Sequence, residues 1–202
     1  MRESSGEPGP RIYLGSVVVM LVESNPLEAD ILAQLLTGFK VKRLCRCSTA
    51  AEATERLKQD TPDLVVVGAV HGGAADGFEF IRVMRRDRDE MLRTAPVILL
   101  TGHTLQADVM RARDCGANFV VAKPITPHVL YERIMWLIKD RRTFIFVDSY
   151  AGPDRRFQKL GPPPGAKGRR KDDVSLKVGE ATEANMSQNE IDAFFQPKGA
   201  IR

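Results

Sequence analysis

The chain is poor in cysteine, in aromatic residues and in long apolar runs. Three cysteines in 202 residues (Cys45, Cys47, Cys115) form an odd, sparse set. They exclude a disulfide framework and point to a reducing compartment, read here as the cytoplasm. The longest apolar stretches, Ser16–Val22 and Leu64–Val70, are far short of the roughly 18 residues that a membrane-spanning helix needs. The first ten residues, Met1–Pro10, are polar and lack the apolar centre of a secretory signal. What remains is an ordinary globular composition, 43% hydrophobic and 28% charged, with length for one domain and an extension.

Charge is unevenly placed. Residues 1–140 hold 18 Lys+Arg and 18 Asp+Glu, whereas residues 141–202 hold 12 and 8, so the whole net charge of +4 lies in the last third. Seven basic residues and no acid fall between Arg155 and Lys171. Nucleic acid or an anionic membrane surface could meet such a stretch. With only Phe157 interleaved, a solvated linker is the preferred reading and a nucleic-acid partner is not expected.

Between Ile12 and Asp140, short apolar runs alternate with amphipathic segments. Ser16–Val22, Leu64–Val67, Pro96–Leu100 and Phe119–Ala122 read as buried strands, and Val41–Cys45 as a more polar edge strand. Asn25-Pro26 opens a helix with Leu27, Ile31, Leu35 and Leu36 on one face. Thr49 with Glu52 forms a capping box; further helices follow at about 76–86, 105–114 and 127–139. Five βα units predict an α/β fold: a flavodoxin-like parallel sheet, order 2-1-3-4-5, with helices on both faces and its site at the carboxyl ends of strands one and three.

At those ends stand Glu23-Ser24, Gly68, Thr101-Gly102 and Lys123-Pro124. With Pro62–Val67, Asp76-Gly77, Pro96–Thr101 and Gly116-Ala117, they resemble the receiver domain of two-component response regulators over about residues 16–140. The resemblance implies an acidic pair after strand one and a strand-three aspartate that together hold Mg²⁺, the aspartate accepting a phosphoryl group. It also implies a Thr and a Lys that bind phosphoryl oxygens, and an aromatic residue in strand five.

The chain departs from that pattern at Gly68 in the acceptor position, at Glu23-Ser24 in place of an acidic pair, and at Val120 in the aromatic position. The pocket of Glu23, Ser24, Gly68, Thr101 and Lys123 is therefore read as degenerate. Glycine offers no oxygen nucleophile, and one carboxylate is a poor Mg²⁺ site. No catalytic residue, metal or cofactor is expected, and the chain is read as a non-enzyme. Asp63 lies too far back along its strand to substitute, and Asp76 reads as a helix cap. Glu23 is the natural partner for Lys123; an exposed, unpaired lysine is the other reading. Cys45 and Cys47 share a strand face without a second ligand pair, so they read as structural or incidental. His71, His103 and His128 fall in loops or at helix starts, and no role is assigned to them.

The boundaries expected are a disordered lead at 1–11, the receiver-like domain at 12–140, an extension that could add a strand at 141–150, a disordered basic linker at 151–185, a short amphipathic helix at 186–196 and a disordered end at 197–202. The segment Met186–Phe195 resembles the regulator-binding motif of the flagellar motor switch protein. Ser187 and Glu190 make a capping box, and Ile191, Phe194 and Phe195 make an apolar stripe. So short a helix folds on a partner surface: another receiver, a motility or chemotaxis component, or its own receiver face. The preferred function is a non-phosphorylatable interaction module in bacterial phosphorelay signalling. The alternatives are a phosphoacceptor regulator using a non-standard residue, and a nucleic-acid or membrane-surface binder acting through the basic tail.

Overall fold

The computed structural model describes residues 14–69, 76–140, 142–155 and 185–195. The expected lead, most of the basic linker including Arg156–Lys171, the His71 loop and residues 197–202 lie outside the described residues. Strands β1 (Val18–Val22), β2 (Arg43–Cys47), β3 (Leu64–Gly68), β4 (Val97–Thr101) and β5 (Phe119–Ala122) form one parallel sheet in the order β2-β1-β3-β4-β5, as expected. Every residue of β3 and β4 is buried, which is why these strands read as continuous apolar runs.

Helices α1 (Pro26–Gly38), α2 (Ala50–Leu57), α3 (Gly77–Arg85), α4 (Glu90–Thr94), α5 (Gln106–Asp114) and α6 (Pro127–Lys139) cover the sheet. Side chains alternate along the strands. Val19, Leu21, Val66, Ile98 and Val121 face α1 and α6, and Met20, Val65, Val67, Val97 and Leu99 face α2 to α5. Asn25, Thr49, Asp76 and Thr126 each accept backbone N–H groups at a helix start, and Asp63 accepts from the Val18 N–H at 2.8 Å.

Three local expectations change. The face that α1 buries is Ala29, Leu32 and Leu36, while Leu27 and Ile31 are 68% and 49% exposed. Residues 29, 32 and 36 repeat at helical spacing as well as the leucine set does, and small Ala29 lets the helix lie close to the sheet. The second strand runs from Arg43 to Cys47, which brings both cysteines into it. The short helix α4, capped by Asp89, was not foreseen.

The extension is the largest departure. Strand β6 (Phe144–Val147) is followed by β7 (Tyr150–Pro153), and the two pair as an antiparallel hairpin. A linker starting at residue 151 is therefore incorrect; Ala151-Gly-Pro153 reads as a breaker but is strand. Two glycines make this possible. A Cβ on Gly152 would lie 2.8 Å from the Gly116 Cα, and one on Gly116, at φ +98°, would lie 2.5 Å from the Ala151 carbonyl oxygen, so the backbones touch directly.

Beside this contact Arg85 is fully buried. It donates to the carbonyls of Gly116 (2.9 Å), Ala95 (2.6 Å) and Arg93 (3.0 Å) and to the Asn118 side chain (2.9 Å), with the Phe144 ring 5.1 Å away. Burial lowers its pKa to about 10. The last helix, α7 (Gln188–Ala193), lies against β5, the sheet edge away from β2. No helix among the described residues is long and apolar enough to cross a membrane.

Candidate functional site

Two adjoining regions at one end and edge of the sheet hold the residues singled out by sequence. The first is the cleft at the carboxyl ends of the strands. Glu23 leaves β1 and turns inward, buried although charged. Its Oε2 accepts from Lys123 Nζ at 2.9 Å and its Oε1 from the Asn25 N–H at 3.0 Å. The Glu23–Lys123 pair expected from the sequence is thus formed. Glu28, one turn into α1, also accepts from Lys123; sequence reasoning missed it, although it lies on the first turn of a helix that starts at this rim.

Burial by itself would lower the Lys123 pKa, but hydrogen bonds to Glu28 and Glu23 outweigh it and hold the group above the usual lysine value. The lysine's contribution is therefore complete at neutral pH and, on the alkaline side, is lost as the pH rises through that raised value.

Gly68 ends β3 below this pair. A Cβ built on it would stand 2.3 Å from Glu23 Oε2, so the Glu23 carboxylate fills the space where a side chain at position 68 would begin. Thr101, 1% exposed at the end of β4, donates its hydroxyl to the His103 carbonyl at 2.9 Å and accepts from the His103 N–H at 3.0 Å. The hydroxyl is engaged by its own turn. Ser24 is exposed at the bend after Glu23. Of the five pocket residues, the structure brings Glu23, Gly68 and Lys123 into one cluster.

The second region is the groove formed by α5, β5 and α6, and α7 lies in it. Ser187 and Glu190 complete the capping box: the Ser187 N–H and hydroxyl both donate to Glu190 Oε2, at 2.8 and 2.7 Å, and both side chains face outward. Ile191 and Phe195 are 0% and 1% exposed and join the core cluster that contains Val109, Ala112, Phe119 and Val120. The Phe195 ring packs 6.4 Å from that of Phe119. Phe194, expected in the same stripe, is only half-buried at the margin.

Two polar residues that the sequence reading passed over complete the seat. The Gln188 side chain accepts from the Ala122 N–H at 2.7 Å and donates to the Val120 carbonyl at 3.0 Å. It pairs with the edge of β5 as a neighbouring strand's peptide would. Asp192 pairs with Arg133 of α6, which stacks over Trp136 at 3.8 Å. Burial raises the Asp192 pKa against the opposing pull of Gln188 and Arg133, and burial lowers that of Arg133. The inward set is 188, 191, 192 and 195. This i, i+3, i+4, i+7 pattern was present in the sequence but hidden by the habit of counting only apolar positions.

An open parallel sheet in the order 2-1-3-4-5, with its cleft where β1 and β3 end and with Thr after β4 and Lys after β5, defines the receiver class. A model of the response regulator receiver domain family matches residues 19–135, more than half of the chain, and the chain belongs to that family. It is 36% identical over 121 residues to the transcriptional regulatory protein AfsQ1 of Streptomyces coelicolor, covering 60% of this chain and 51% of that protein. It is 27% identical over 122 residues to the polar-differentiation response regulator DivK of Brucella ovis, covering 60% and 96%. The match thus spans about half of the transcriptional regulator and nearly all of the DivK chain. Among solved structures, the signal receiver domain of a signal transduction histidine kinase from Syntrophus aciditrophicus is 28% identical. It has a TM-score of 0.55 and covers 65% of this chain and 98% of that one.

Proposed function

We propose that this chain is a receiver-like interaction module of bacterial two-component, phosphorelay signalling that works by surface docking in the cytoplasm, not by accepting a phosphoryl group, and that it serves chemotaxis or motility. The observation that carries this reading is the Glu23 carboxylate standing 2.3 Å from where a Cβ of residue 68 would be. The usual acceptor site has no side-chain oxygen, and its space is taken by a group already paired with Lys123, which Glu28 shares. The donor set fits Mg²⁺ poorly for the same reason: a hard dication needs carboxylate and phosphate oxygens, and the one buried carboxylate at the cleft floor is committed to an ammonium and an N–H. The DNA-binding and transcriptional roles in several relatives' names attach to proteins of which this chain matches about half or less, so those roles are not carried over.

The tail segment is, in this proposal, a receiver-binding peptide. Its support is the fit of Gln188, Ile191, Asp192 and Phe195 to the groove of its own receiver. Because the peptide belongs to the same chain, a second receiver must compete with a high local concentration to capture it.

Incubation of the full chain with acetyl phosphate and with a histidine kinase tests the first part. No acid-stable or acid-labile phosphate is expected on the wild type, and stoichiometric label on a cleft side chain refutes the proposal. For the tail, a peptide spanning Asn185–Phe195 should retain a receiver on a column; retention of none, phosphorylated or not, its own included, removes that part.

A further inference from the structure

The hairpin beyond the receiver fold has one buried strand and one exposed strand. In β7, Tyr150, Gly152 and Pro153 are buried, whereas β6 ends in Phe146 and Val147 at 43% and 54% exposure. Strand β6 is therefore the outer edge. Its pairing register, Val147 with Tyr150 and Ile145 with Gly152, continues into a hydrogen bond from the Asp154 N–H to the Thr143 carbonyl at 2.8 Å. Hydrogen-bonded pairs alternate in an antiparallel ladder, so Thr143, Ile145 and Val147 turn their backbone groups toward β7. Phe144 and Phe146 turn theirs outward, and among the described residues no backbone hydrogen bond takes them up.

We propose that this outer edge is a pairing surface for a second copy of the chain, joined β6 to β6 in antiparallel fashion across a two-fold axis. Natural edges are usually blunted by an inward charge, a proline or a bulge; the four residues Phe-Ile-Phe-Val have none of these. A two-stranded hairpin is also the least self-sufficient sheet, and a third or fourth strand strengthens it. Self-pairing follows from parity. An outward residue must face an outward residue, and the register that pairs both outward residues within the strand sets Phe144 opposite Phe146 of the partner subunit, with the reverse by symmetry. That single register uses every outward N–H and C=O on both strands. It sets Ile145 opposite its own copy at the axis. The strand is thus complementary to its own reverse in hydrogen bonding and apolar content, the requirement for an isologous contact. This surface is separate from the cleft and the tail groove, so it stands or falls independently of the function proposed above.

The test is sedimentation equilibrium of the full chain over a concentration series, with two variants. The wild type is expected to rise from 22.4 kDa toward twice that mass. Phe146→Pro deletes an outward N–H and leaves the hairpin's own bonds in place; its association should be lost. Ile145→Cys puts two thiols at a non-hydrogen-bonded pair, where Cα atoms stand about 4.5 Å apart, within disulfide reach. It should give a covalent dimer under mild oxidation, while Thr143→Cys should not. The native cysteines are buried and do not confuse the readout. A wild type that stays at 22.4 kDa throughout overturns the proposal. So does a dimer that survives Phe146→Pro, or one lost on Ile191→Ala, which would place the contact at the tail; so does an Ile145→Cys chain that does not cross-link where the wild type associates.

Discussion

The cleft and the groove lie side by side on one receiver fold, and both are filled from within the chain, but by opposite means. In the cleft the Glu23 side chain occupies the place of an absent one and pairs with Lys123, which Glu28 shares. In the groove a distant segment supplies two apolar anchors, Ile191 and Phe195, with a buried ion pair and a side-chain amide between them. The cleft is closed by local chemistry, a few residues from β1 and β5, and opening it would require a changed sequence. In the function proposed above, the groove is closed by an element that leaves without unfolding the sheet. On that reading the same fold holds a fixed site beside an exchangeable one.

The largest expected effect breaks the exchangeable side. Phe195→Ala, alone or with Ile191→Ala, removes side chains whose truncation costs about 3–5 and 2–5 kcal/mol in a packed core. The tail should undock while the sheet stays folded. Hydrogen exchange reads this at the Ala122 N–H, which Gln188 covers; unchanged protection there would mean that the tail does not hold the groove.

Asp192→Ala comes next. It leaves Arg133, 3% exposed, with only Glu132 at 3.7 Å as a carboxylate partner, a loss of up to about 3–5 kcal/mol for a broken buried pair. The pH dependence sharpens this. Burial raises the Asp192 pKa in the docked state, so the docked tail holds a proton more readily than the free one. Docking should be weakest above that raised value and should strengthen as the pH falls through it. Release of the tail on acidification, followed by the same amide, would show that the Arg133 charge outweighs burial.

The smallest effect probes the fixed side. Gly68→Ala makes the Glu23 carboxylate, the far end of a flexible side chain, swing aside and should cost about 1 kcal/mol, the low end for overpacking, in denaturant unfolding. Combining it with Glu23→Ala should cost less than the sum of the two single changes, because the clash is gone. Strict additivity would deny that the two positions share one space.

The contrast also explains what the sequence could convey. The five strands, their order and four helix caps were readable, because continuous apolar runs and Asn25, Thr49, Asp76 and Thr126 are local signals. Glu23–Lys123 was readable because a receiver-like order puts both on one rim. Strand β7 was not, since Gly152-Pro153 is a turn signature unless Gly116 of a distant loop offers a flat seat. Gln188 and Asp192 were missed because their meaning depends on the β5 edge and Arg133, neither of which is near them in the chain. The choice between the tail's own receiver and another could not be read, because the same peptide face serves both.

Arg85 carries one more consequence. A single guanidinium fork ties the carbonyls of residues 93, 95 and 116 and the amide of Asn118, beneath the hairpin that leads out of the domain. An ammonium has its donors at one point and cannot span those loops, so even Arg85→Lys would strand several acceptors together. Damage there should spread as local melting from the loops around β4 and β5 into the hairpin, which makes this arginine the rivet between the five-stranded scaffold and the arm that follows it.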